Sequence, residues 1–304
     1  MMKTPVAFLI FNRPDTTAKV FAAIRQAKPP KLLVVADGPR SDRPSEAEKC
    51  AAARAIIDFV DWECEVLTNY SDINIGCGKR ISSGINWVFE QVEEAIILED
   101  DCLASSNFFQ FCELMLNQYR HDERIMMISG TNFLGTWKSN IQSYHFSYYG
   151  GIWGWASWRR AWRYYNYEIK LWTDNEIKAR IHDVLANKKQ YIYREKIFEQ
   201  VYNGMIDTWD YQWSFARLLQ SGLSIVPSAN LISNIGFGND ATHTKYKSEV
   251  SNIELKNLDF PLDINKFIAV DRDYDQEVFY KLIKNKNLFQ RAIKKLSSLT
   301  MQHS

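Results

Sequence analysis

Apolar and polar positions along the first half of the chain alternate between two textures. Short runs rich in branched aliphatic residues occur at "PVAFLIF" (5–11), "KLLVVA" (31–36), "CEVLTN" (64–69), "AIIL" (95–98) and "IMMIS" (125–129). Between them, apolar positions recur at helical spacing over Asp15 to Ala27, Pro44 to Val60, Arg80 to Gln91 and Asn107 to Tyr119. Strand-helix-strand alternation with strands apolar on both faces predicts an α/β fold, a mostly parallel sheet flanked by helices. Beyond about residue 130 the texture changes to "SYYGGIWGWASWRRAW", a polar helical stretch, "IDTWDYQWSFARLLQSG" and "NIGFGNDATHT". From Lys245 the pattern loosens. From Lys281 to Lys295 there are six basic residues and no acidic ones, interleaved with Leu282, Leu288, Phe289 and Ile293. That is the pattern of a basic amphipathic helix, a form that can lie on an anionic membrane surface.

In parallel sheets of this kind, ligands bind beyond the carboxyl ends of the strands. Three of the predicted strand ends carry polar groups: "FNRPD" after the first, "DGPRSDR" after the second and "EDD" after the fourth. Glu99, Asp100 and Asp101 set three like charges side by side, each pair costing roughly 4 kcal/mol at about 4 Å and an effective dielectric near 20. A bound cation would offset that cost. Arg13, Asp37 and Asp101, furnished by separate strand ends, are the first candidates for a site.

Composition narrows the alternatives. A net charge of +1 gives no basic field for nucleic acid. Five cysteines, an odd number with no C-x-x-C pair, favour reduced thiols and a cytoplasmic setting over a disulfide framework. The apolar run at 5–11 is too short to span a bilayer and reads as a buried strand. No glycine-rich dinucleotide fingerprint follows the first strand, and "NIGCGKR" lacks the P-loop spacing. Its Lys79 and Arg80, at a helix start, could still face a phosphate or a base edge.

"IILEDDCLASSNFFQFCELM", together with "FNRPDTTAKVFAAI" and "VVADGPR", resembles the GT-A-fold glycosyltransferases, most closely those like N-acetylglucosaminyltransferase I (glycosyltransferase family 13). The resemblance covers roughly residues 4 to 245 and is strongest over 95–112. It also extends to bacterial proteins of that fold carrying "WGWASWRRAW" and "GFGNDATHT" motifs. It implies a single GT-A-like catalytic domain over 1–250, with a nucleotide-binding half to about 130 and an acceptor half over about 131–250. Residues 251–304 would then be a C-terminal extension ending in the basic helix. A nucleotide-diphosphate sugar, UDP-linked in the family, would lie across the strand ends, with Mn²⁺ or Mg²⁺ between its diphosphate and the acidic motif. The implied roles are Asp101 for the metal, Glu99 and Asp100 for the donor, Asn12 and Arg13 for the nucleotide, and Asp37 for the base. Where the family has a uracil-contacting His, this chain has Arg80.

Further candidates come from the second half. Trp155, among small residues in "GGIWGWASWRRAW", is the choice for a sugar-facing aromatic ring. His243, in a glycine-rich segment, is a second metal or diphosphate contact by analogy with the wider fold. His145, His182 and His303 have no partner that the pattern suggests. Inverting transfer needs a base on the acceptor side, since the acceptor hydroxyl must lose its proton. The family's Trp-Asp-Asp-Trp element aligns at Trp209-Asp210, making Asp210 the nearest match, with Asp207 as the alternative. As plain structure, Asp207 would cap a helix and Asp210 would sit in its first turn. The acceptor would be a glycan or a lipid-linked sugar, met in the cytoplasm or at the inner face of a membrane. Two other functions compete: a sugar nucleotidyltransferase, which expects glycines after the first strand, and a non-catalytic nucleotide-sugar or glycan-binding module, which needs no base.

Overall fold

The structure is a computed structural model that describes residues 2–236 and 253–282. The five predicted strands form as β1 (Val6–Ile10), β2 (Lys31–Ala36), β3 (Glu65–Tyr70), β4 (Glu94–Glu99) and, after a short β5 (Cys102–Ala104), β6 (Ile125–Ser129). The predicted helices form as α1 (Pro14–Ala27), α2 (Glu46–Ala55), α3 (Cys77–Gln91) and α4 (Phe108–Gln118). In α1, Pro14 occupies the first turn and Thr17, Val20, Phe21 and Ile24 are buried, one stripe at helical spacing. The helix ends at Lys28, whose left-handed backbone lets its N–H reach the Ile24 carbonyl.

The second half adds β7 (Tyr144–Ser147), β8 (Trp155–Trp158), α5 (Arg159–Trp162), α6 (Asn175–Leu185), α7 (Lys188–Tyr202), α8 (Asp210–Leu219), β9 (Leu223–Pro227) and β10 (Ile232–Asn234). Among the described residues, eight strands make one sheet in the order β3-β2-β1-β4-β8-β6-β9-β7. β1, β2, β3 and β4 run parallel, as do β6 and β9, while β8 and β7 run antiparallel to their neighbours. The molecule is therefore α/β with a mostly parallel central sheet flanked by helices, as expected. β8 threads between β4 and β6, so segments from both halves of the chain share one sheet.

The sheet is sealed on both faces. One face, with Phe8, Val34 and Leu98, packs against Val20, Phe21 and Phe111 of α1 and α4. The other, with Leu9, Val35 and Ile97, packs against Ile85 and Val88 of α3 and a cluster of Trp155, Trp162, Trp209 and Trp213. β3 departs from the two-faced apolar expectation: it is an edge strand with none of its residues buried. A separate ribbon pairs β5 with β10 and brings the Ile235 N–H to the Asp101 carbonyl, 2.8 Å away.

The described part of the expected extension joins this body. Residues 272–282 are helical, and Tyr274, Val278 and Phe279 pack with Tyr149 and Val226. The Asp271 N–H bonds the Phe146 carbonyl at 2.8 Å. Past residue 282, the expected basic amphipathic helix lies outside the described residues. No helix among the described residues is long and apolar enough to cross a membrane.

Candidate functional site

The parallel strands deliver their carboxyl ends to one rim, and the predicted polar residues gather there. Arg13 follows β1 and spans the acidic motif after β4. Its Nη1 donates to Asp101 Oδ2 at 2.8 Å, and its Nη2 donates to Asp100 Oδ1. Asp100, only 2 % exposed, also accepts the Phe11 N–H through Oδ2 at 3.1 Å. Burial pushes the Asp100 carboxyl up, with Arg13 pulling it back. Burial would lower the Arg13 guanidinium, but Asp100 and Asp101 carry it above its ordinary value.

Glu99 is the least compensated member. Burial raises its pKa first, then the charge of Asp101, then that of Asp100; Arg13 opposes the shift and Asp210 adds to it. Asp101 weighs more than Asp100 in that shift, although both stand in the turn that ends β4. Asp101 is also the more open of the aspartates, with a side chain 13 % exposed against 3 % for Asp100. Gly236 closes over this pair: a Cβ there would collide with Asp101 Oδ2 and Arg13 Nη1. The segment expected to hold His243 thus leaves β10 directly over the acidic motif. His243 itself lies outside the described residues.

The start of α3 borders the same rim. Gly78 donates its N–H to Asp207 Oδ1 at 3.0 Å, and a Cβ on Gly78 would come within 2.7 Å of the Thr208 carbonyl and the Tyr167 hydroxyl. This close approach is why "NIGCGKR" needs glycine there. Asp207 therefore caps α3, not the helix that follows it in sequence. Asp210 stands in the first turn of α8 and accepts from the Thr208 hydroxyl. Between these acids sits the Cys77 thiol, pushed far up by burial and by the charges of Glu99, Asp207, Asp210 and Asp37. It is a protonated, unreactive thiol. Its position was not legible in the sequence, because nothing local to Cys77 signals acids supplied by three distant segments.

Asp37 and Asn12 are tied into the loops that follow β2 and β1. Asp37 lies at the end of β2, with Oδ1 accepting from Gly38 N (2.9 Å) and Ile75 N (3.2 Å), and burial raises its pKa. Asn12 donates to Glu46 Oε1 at 2.8 Å, on a carboxylate that Arg40 holds well below the usual range, at about 2. Two expectations need correction. Arg80 is buried, with Nε on the Ala36 carbonyl (3.1 Å) and Nη2 on the backbone and side-chain oxygens of Asn69. It clamps the ends of β2 and β3 in place of reaching a base. Trp155 is 0 % exposed and packed against Trp162, Trp209 and Trp213, so it offers no face to a sugar. The small residues around it make room for a central strand.

Among the described residues, no three His, Cys, Asp or Glu side chains are arranged to hold a metal by themselves. The rim does offer the carboxylate oxygens of Asp101 and Glu99. Mg²⁺ and similar hard cations are commonly held by one or two carboxylates plus the phosphates of a substrate, and this donor set fits that mode.

No family model matches the chain, and no curated protein matches it in sequence. Among solved structures it is similar to a mannosyltransferase, PcManGT from Pyrobaculum calidifontis in complex with GDP-Man and Mn²⁺. The TM-score is 0.34 at 11 % identity, over 51 % of this chain and 44 % of that one. It is also similar to S. aureus TarS 1–349, with a TM-score of 0.37 at 12 % identity, over 76 % of this chain and 59 % of that one. The chain thus spans less than two thirds of the length of either.

Proposed function

We propose that the protein is a metal-dependent glycosyltransferase that moves a sugar from a nucleotide-diphosphate donor, UDP-linked, to a glycan or lipid-linked acceptor with inversion. The observation that carries this reading is the meeting of Glu99, Asp100 and Asp101 with Asp210 at one carboxyl rim. That rim is contributed by both halves of the chain, and among the described residues Arg13 partly offsets its charge. Asp101 would hold Mn²⁺ or Mg²⁺, with Glu99 and His243 as the further residues proposed for it. The bound cation supplies stabilisation of the negative charge on the departing diphosphate. Asp100 is a positioning residue, because both its oxygens are engaged and it fixes Arg13 toward the donor. Asp37 and Asn12 shape the nucleotide side of the rim through the loops they tie down. Asp210 takes the proton of the attacking acceptor hydroxyl, and the hydroxyl oxygen forms its bond to the anomeric carbon as the diphosphate leaves.

The test is a panel of nucleotide sugars incubated with the protein and Mn²⁺ or Mg²⁺, read as thermal shift and as slow donor hydrolysis. A donor that raises the melting temperature only with the cation, and is slowly hydrolysed, supports the transferase. Binding with no turnover over a fair range of donors and acceptors would instead favour a binding module. Release of pyrophosphate from a sugar phosphate and a nucleoside triphosphate would favour a nucleotidyltransferase.

A further inference from the structure

The two edges of the central sheet are treated differently by the chain. Beyond β7, Val270 pairs with Phe146 and the Asp271 N–H bonds the Phe146 carbonyl, so that edge is partly covered. At the opposite edge, β3 pairs with β2 alone among the described residues. The Glu65 N–H bonds the Pro30 carbonyl, and the Ser71 N–H bonds the Ala36 carbonyl, both at 2.9 Å. In a parallel ladder one residue turns both its N–H and its C=O to the neighbouring strand, and the next turns both away. Positions 65, 67, 69 and 71 are therefore engaged with β2. The main-chain groups of Val66, Thr68 and Tyr70 point outward, and all three residues are exposed.

An open edge invites another strand, and proteins usually guard it with lysine, proline or a bulge. β3, "EVLTNY", has no lysine or proline, and its register with β2 runs without a shift. The one charged residue in it, Glu65, is paired with Lys31 at 2.8 Å. Val66, Thr68 and Tyr70 are residue types that favour strand pairing.

The three outward positions select the strand that fits. In an antiparallel pair, residues that exchange both N–H and C=O bonds must face each other. A second copy of β3, turned about a two-fold axis at Thr68, meets this condition throughout. Thr68 then faces the partner's Thr68, and Val66 and Tyr70 each face the other. Thr–Thr and aromatic–β-branched pairs are among the favourable cross-strand combinations. Glu65 falls opposite the partner's Ser71, so no like charges are directly opposed. Past Ser71 the chain turns back over Gly38, where a Cβ would collide with the backbone of Asp72 and Ile73. That turn carries Asp72 off the line of the strand.

We propose that the outer edge of β3 is a homodimer interface, through which two copies join antiparallel at Val66, Thr68 and Tyr70 into one continuous sheet. Antiparallel joining points the two carboxyl rims in opposite directions, so neither copy obstructs the other's acidic motif. The interface is independent of the transferase reading. One strand pair is a small contact, so the dimer should be reversible and form at micromolar concentrations. Sedimentation equilibrium of the full chain over roughly 1 to 300 μM should show a single monomer–dimer equilibrium. Thr68→Lys and Thr68→Glu each place like charges opposite each other at the axis, and each should weaken dimerisation about two- to fivefold. An equimolar mixture of the two should dimerise more tightly than either alone, because this register sets position 68 against itself. Thr68→Pro loses an N–H that faces away from β2, so it should keep the parent's circular dichroism yet stay monomeric. The proposal is overturned if the parent remains a monomer throughout or assembles beyond the dimer. It is also overturned if the two charged variants dimerise like the parent, or if their mixture is no tighter than either alone. A monomer whose Val66, Thr68 and Tyr70 amides resist hydrogen exchange would place another segment of the same chain on this edge.

Discussion

At the scale of single residues, the acidic motif and Arg13 form one electrostatic unit. Asp100 and Asp101 are held at the end of β4 by a guanidinium that bridges them, and Asp100 has almost no contact with solvent. Removing one member of a buried ion pair leaves the other charged and unpaired, at a cost of about 3–5 kcal/mol. Arg13→Gln should therefore lower the melting temperature of the metal-free protein strongly. Mn²⁺ should then restore more stability to the variant than it adds to the parent, because the guanidinium no longer competes for Asp101. At a hundredfold excess over Kd, bound cation contributes about 2.7 kcal/mol. Calorimetry with and without Mn²⁺ checks this, and equal increments in the two proteins would sink the shared-carboxylate argument. Asp101→Asn keeps the shape but removes the charge, and should lose both the Mn²⁺ increment and most donor turnover.

Individual helices and strands show what a sequence can and cannot reveal. β2 and β6 were legible to the residue because they are buried on both faces, so a continuous apolar run marks each of them. β8 was not. "WASW" is short, and its tryptophans serve opposite faces of a strand that only long-range pairing with β4 and β6 creates. The cap of α3 was hidden for a similar reason, since Asp207 reaches Gly78 across 129 positions of chain. A cap of this kind contributes about 0.5–2 kcal/mol, so Asp207→Ala should cost stability in that range, read by urea unfolding. At the other end of the sheet, the buried Asp275 anchors the helical residues 272–282 by accepting from the Ser147 hydroxyl. Burial raises its pKa to about 6, against the opposing pull of Ser147 and Arg272. Between the ordinary carboxylate value and that raised one, the folded state binds more protons than the unfolded state. Its contribution to stability is therefore lost as pH rises through that window. Asp275→Asn should gain on the parent in melting temperature from about pH 4 to pH 7. A constant difference across that range would show that Asp275 does not titrate in the folded protein.

Over the whole molecule, the decisive relation is between carboxylates that the sequence places more than a hundred positions apart. Glu99 and Asp101 lie at the end of a strand in the first half, and Asp210 in the first turn of a helix in the second. Asp210 is nevertheless close enough for its charge to raise Glu99. The fold achieves this by packing Trp209 and Trp213 of the α8 region onto Trp155 in the central strand β8, next to β4. The two aspartates of the second half then divide the work. Asp207 is committed to the backbone of α3, whereas Asp210 is engaged only by the Thr208 hydroxyl among the hydrogen bonds of its carboxylate in the described residues. A base must also lie beside the acidic motif, and it is the charge of Asp210 that Glu99 feels, which favours Asp210. Asp210→Asn should therefore keep nucleotide-sugar affinity, because the base touches acceptor and not donor, while lowering transfer about 10²–10⁴-fold. Asp207→Ala should do the reverse, losing stability while retaining most transfer once folded. Donor affinity by calorimetry and single-turnover transfer on both variants decide between the roles. If Asp210→Asn transferred normally while a folded Asp207→Ala failed, the base would be Asp207, the exposed carboxylate that caps α3.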